Sequence, residues 1–142
     1  MQTENKELIL PGSSRLHKVA YWIVTGLTAA LMFGGGIGEL THRWGTLETH
    51  TVLGYPVYFL TIIGIWKILG ALVILLPGFP RLKEWAYAGM FFNVSGAFVS
   101  LIYSGYYGIG GFRLIATGFI LLFIIASWIL QPLNRRIDLI KQ

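Results

Sequence analysis

Apolar residues fill four long stretches of the chain, and polar residues collect between them. The stretches cover about residues 18–38, 56–76, 85–103 and 114–130. Each approaches the roughly 20 residues that a helix needs to cross a bilayer. The connections are short, so sequential neighbours should pack antiparallel. The pattern predicts an all-α fold, an integral membrane four-helix bundle with up-down antiparallel topology. Residues 1–17 read as a flexible lead-in, with Ser14 as a helix cap, 18–132 as the membrane domain and 133–142 as a tail. The first stretch is longer than the apolar core of a signal peptide, and no small-residue cleavage site follows it, so it reads as a span. The longest connection, "THRWGTLETHTVLGYP", holds a segment, "TLETHTVLG", suited to a short surface helix. Pro56 suits the first turn of the second span.

Polar residues inside the spans share faces. In "YFLTIIGIWKILGALVILLP", Lys67 lies on one helix face with Leu60, Gly64, Gly70, Ala71 and Ile74. On the third span, Asn93 shares a stripe with Ala86, Gly89, Gly96, Ala97 and Ser100. Small residues let membrane helices approach closely, so Gly64, Gly70, Gly89 and Gly96 are expected to pack helices, with spans two and three in contact. Lys67 lies roughly 16 Å along its helix from Pro56, and Asn93 roughly 14 Å from Glu84, which puts both near mid-membrane. The first span offers Tyr21, Thr25, Thr28, Met32, Gly35 and Glu39 on one face. Side chains lean toward the helix N-terminus, so Lys67 should lean toward Glu39. Glu39, near a span end, should still reach water, which would make Glu39→Gln more damaging than Lys67→Met. An intramembrane lysine costs about 3 kcal/mol on insertion scales and marks a functional site by default. The cluster Lys67, Asn93, Glu39 and nearby Trp66 is thus a candidate ligand site. The same residues also suit a purely structural role in helix register.

Composition agrees with lipid as the solvent: 55% of residues are hydrophobic and 12% charged, against about 25% charged in soluble domains. Net charge is +5. The basic residues lie at the margins of the apolar runs, the pattern of membrane topology rather than of a nucleic-acid partner. Lys6, Arg15, Lys18, Arg81, Lys83, Arg135, Arg136 and Lys141 share one side of a four-span chain, with Arg81 and Lys83 placed in the loop between spans two and three. Both termini are therefore expected in the cytoplasm. The absence of cysteine excludes thiolate metal sites, CxxC redox chemistry and a cysteine nucleophile. "GGGIGEL" ends a helix and follows no strand, so it is not a nucleotide loop. Glu39-x-x-His42 lacks the second Glu-x-x-His pair of a di-iron bundle, and no metal is expected. Glu48, His42 and His50 read as part of a solvated loop.

Residues 53–92, "LGYPVYFLTIIGIWKILGALVILLPGFPRLKEWAYAGMFF", resemble the core of DoxX-like membrane proteins. The resemblance rests on Gly54-Tyr55-Pro56, on Lys67 with Leu69-Gly70-Ala71, on Pro77 and on the run from Lys83 to Gly89. "YWIVTGL" in the first span also fits. It implies a four-helix integral protein, mostly of bacterial inner membranes. The wider superfamily includes a subunit of a thiosulfate–quinone oxidoreductase and a component of oxidative-stress complexes. The family pattern has a histidine near the end of span three, then a Gly-Asp turn; here stand Leu101 and Gly105-Tyr106. That departure weakens an enzymatic reading.

Three functions remain open on the sequence. The first is a non-catalytic subunit or binder that holds a lipid-like or quinone-like ligand, or a partner, around Lys67. The second is the membrane subunit of a quinone-linked oxidoreductase, which would need a bound redox cofactor or a partner subunit that supplies one. The third is a component of a proton-coupled transporter built on Glu39 and Lys67. The chain alone offers no cofactor ligands, but a quinone remains a candidate. The bilayer is the expected environment, and a homo-oligomer is compatible with it.

Overall fold

A computed structural model describes residues 15–132 of the chain. Ser14, Lys6, Arg135, Arg136 and Lys141 lie outside them. Helix α1 (Arg15–Leu40) has 26 residues, about 39 Å of helix, more than the hydrocarbon core of about 30 Å requires. After it the chain turns sharply. His42 and Trp44 take positive φ of 53° and 59°, uncommon outside glycine, and Arg43 N–H donates to the Gly38 carbonyl at 2.9 Å. The Trp44 ring packs directly on Gly38, where a Cβ would stand 2.5 Å from Trp44 Cε3. Helix α2 (Thr46–Val52) is the short surface helix, two residues shorter than the segment expected at 46–54. Pro56 is extended and directly precedes helix α3 (Val57–Leu75). Helix α4 (Pro80–Ser104) opens on a proline and ends at Gly105, whose φ of 68° terminates it. A 3₁₀ turn (Ile109–Gly111) leads into helix α5 (Phe112–Ile129).

Helices α1, α3, α4 and α5 are each long and apolar enough to cross a membrane. Each packs on its neighbour in sequence, and α1 also packs on α5, so the four close into a ring. The expected all-helical membrane bundle is what the chain forms. Its centre is apolar: Ala29 and Met32, Ala71 and Ile74, Met90 and Val94, and Ile124 form one buried cluster with Tyr87.

The third span begins earlier than its hydropathy implied, at Pro80 rather than residue 85. Lys83 is therefore not a loop residue. It lies in the first turns of α4, fully buried. The buried face of α4 is Lys83, Tyr87, Met90, Val94 and Leu101, not the Asn93 stripe. Apolar residues suit lipid and core equally, so hydropathy alone does not select the inward face.

Candidate functional site

The closest helix crossing joins α1 to α3 through Gly36 and Gly64. A Cβ on Gly36 would sit 2.8 Å from the Gly64 carbonyl oxygen, and one on Gly64 would sit 2.9 Å from that of Gly36. Three residues beyond each glycine stands a charge, Glu39 on α1 and Lys67 on α3. The helices are antiparallel, so the charges lie on opposite sides of the crossing, each about 4.5 Å along the axis from it. Each side chain leans toward its own N-terminus, which brings the two together. Lys67 Nζ forms an ion pair with Glu39 Oε1. Glu39 is the deeper member: its side chain is 7% exposed, that of Lys67 17%. Glu39 thus does not reach water as its place near the helix end suggested, because α2 folds back over it.

The ion pair lines a cavity of about 480 Å³ beneath α2. His50 and Thr49 of α2, Asn93 of α4 and Arg113 of α5 line it too. Three buried atoms there have no hydrogen-bond partner among the described residues: Glu39 Oε2, Asn93 Oδ1 and His50 Nδ1. A second, apolar groove of about 500 Å³ opens between α3 and α4 toward the membrane. Trp66 and Trp85 line it, and Trp66 is 71% exposed. Ile63, Lys67 and Asn93 belong to both spaces, so the cavity with the ion pair and the apolar groove meet at Lys67 and Asn93.

The expected packing glycines divide. Gly64 does pack helices, but against α1. At Gly70 a Cβ would make ordinary contact with Met90 at 3.5 Å. At Gly89 and Gly96 a Cβ would meet nothing within 4 Å, so neither brings helices together. Spans two and three are neighbours, but Gly89 and Gly96 leave space instead of closing it. Gly89 borders the groove and Gly96 the cavity.

Polar side chains fasten α2 as a cap. Arg113 Nη1 donates to Thr49 Oγ1, and Tyr106 Oη donates to Glu48 Oε1 at 2.7 Å. The Arg113 guanidinium also lies over the Tyr106 ring, 5.7 Å from its centre. Burial pushes the His50 imidazole below its ordinary value of 6.5, and the Lys67 ammonium adds to that. His50 was expected in a solvated loop; it is half-buried over the ion pair. Its ring lies beside that of Tyr55, 5.7 Å between centres.

A second polar group lies at the other end of the bundle. Ser127 Oγ is 2.7 Å from both Thr25 Oγ1 and Tyr87 Oη, and Thr28 Oγ1 donates to the Phe123 carbonyl at 3.2 Å. Tyr21 and Lys83 are fully buried near this end. The sequence pointed to Tyr21, Thr25 and Thr28 on one face of α1, but not to Ser127 and Tyr87, whose partners are distant in the chain. Among the described residues no three histidine, aspartate or glutamate side chains gather as a metal site would require.

No curated protein and no solved structure matches the chain. A family profile does match, over residues 23–128, which include Glu39, Lys67 and Asn93. With four helices fit to span a bilayer and this match over most of its length, the chain is a small membrane protein that belongs to the DoxX-like family.

Proposed function

We propose that the protein is a non-catalytic membrane subunit that binds a lipid-like or quinone-like molecule at Lys67, Asn93 and Glu39. One observation carries this reading: a cavity that holds the ion pair and an apolar groove meet at the residues that bear the intramembrane charge and amide. A ligand with a polar head and an apolar tail fits such a pair of spaces, and Trp66 offers its face to the tail. Binding of this kind needs no nucleophile. Within the reading, the protein lies in a bacterial inner membrane with both termini in the cytoplasm, supported by Arg15, Lys18 and Arg81 at one end of the bundle. Any electron transfer to a bound quinone would depend on a partner subunit.

Purification in mild detergent, followed by mass spectrometry of the extracted small molecules, tests the reading. It expects a stoichiometric amphiphile in the wild type, lost in Lys67→Met or Gly89→Leu. A folded protein that carries and takes up no amphiphile would refute it.

A further inference from the structure

The unpartnered atoms of the cavity say what kind of head the ligand carries. Glu39 Oε2 is an acceptor and belongs to a residue only 6% exposed. Asn93 Oδ1 is a second acceptor with no partner. A buried acceptor left unmatched costs about 1–3 kcal/mol, so a ligand that supplies donors gains where one that offers only acceptors does not. A carbonyl head could accept from Lys67 but would leave both oxygens unmatched. A phosphate or carboxylate head would bring negative charge against Glu39 Oε2. Arg113 also lines the cavity and would attract such a head, but an ionised head brings no donor to Glu39 Oε2 or Asn93 Oδ1, which would stay unmatched. An ammonium head would meet both Lys67 and Arg113. A hydroxyl has no such conflict: it donates to a carboxylate or amide oxygen and accepts from an ammonium at once.

Resting on the binding reading above, we infer that the ligand is an amphiphile with an uncharged, hydroxyl-bearing head. The head donates to Glu39 Oε2 and Asn93 Oδ1 and accepts from Lys67. The tail lies in the groove beside Trp66, so the ligand enters sideways from the bilayer between α3 and α4. The open surfaces at Gly89 and Gly96 fit this route: both positions have room for a side chain that the fold does not use. Two sources supply such a head, an acylglycerol and an alkyl hydroquinone.

The test uses the full chain in nanodiscs and five probes with the same alkyl tail. Their heads are glycerol ester, hydroquinone, benzoquinone, phosphate and trimethylammonium. Native mass spectrometry and calorimetric titration give the affinities. The two hydroxyl heads are expected to bind about tenfold or more tighter than the benzoquinone, phosphate and ammonium heads. Their order relative to each other identifies the source. Asn93→Ala, which breaks no side-chain hydrogen bond among the described residues, should reduce the hydroxyl preference severalfold. Gly89→Leu should weaken the whole panel by filling the groove. Benzoquinone or phosphate binding as tightly as the hydroxyl heads overturns the inference and leaves the binding reading intact. Failure of every probe to bind overturns both.

Discussion

Lys67 is the less buried member of its ion pair, and this decides which substitution costs more. Lys67→Met leaves the Glu39 side chain, more than nine-tenths buried, without its cation. Glu39→Gln leaves an ammonium that still faces the open cavity. Lys67→Met should therefore lower stability more than Glu39→Gln, by about 1–3 kcal/mol. The double variant should recover much of the loss if the two act as a pair. Thermal unfolding of the three variants in detergent checks this; additive losses would mean that they act independently. Glycines give a second prediction. Gly36→Leu and Gly64→Leu drive a side chain into facing backbone and should each cost about 1–3 kcal/mol, whereas Gly96→Ala should leave the melting temperature nearly unchanged. The pairing of Lys67 with Glu39 was legible in the sequence, because helix geometry sets both depth and lean. Their relative burial was not. It depends on how α2 folds back over α1, and in that turn Gly45 is joined by two non-glycine residues at positive φ, His42 and Trp44, which the sequence does not announce.

At the scale of elements, α2 is a lid held by side chains from far along the chain. Arg113 reaches it across 64 residues of sequence. Arg113→Ala should free α2, and faster amide exchange over residues 46–52 with little change in α4 would show it. The cap should also respond to acid. His50 titrates below its ordinary 6.5 when folded, so the unfolded chain binds its proton first as pH falls. The stability it contributes is complete above about pH 6.5 and declines as pH falls through the lower folded value. His50→Gln should flatten that slope in unfolding measurements between pH 7 and 5. The sequence disclosed α2 itself through "TLETHTV", but neither latch. Such contacts depend on which loops the bundle brings to one end.

Across the whole molecule, four spans followed directly from length and hydropathy, since every stretch had to match one bilayer thickness. The assignment of faces was harder. In lipid, α4 can present leucine or phenylalanine outward at no cost, and its core face runs through Lys83 and Tyr87, a lysine and a tyrosine that simple hydropathy places outside. Small residues misled for a related reason. Gly36 and Gly64 close a crossing, while Gly89 and Gly96 widen a gap, and both uses look alike in sequence. The topology itself is testable with reporter fusions: one after Gln142 should read as cytoplasmic and one near Thr46 as the opposite side. The order of the charges along the chain then bears on biogenesis. During synthesis α1 emerges before α3. Glu39 lies one residue from the end of α1, where it can wait at the lipid–water boundary. Lys67, midway along α3, arrives second and finds its counter-ion in place, so the costlier of the two charges need not cross the bilayer alone.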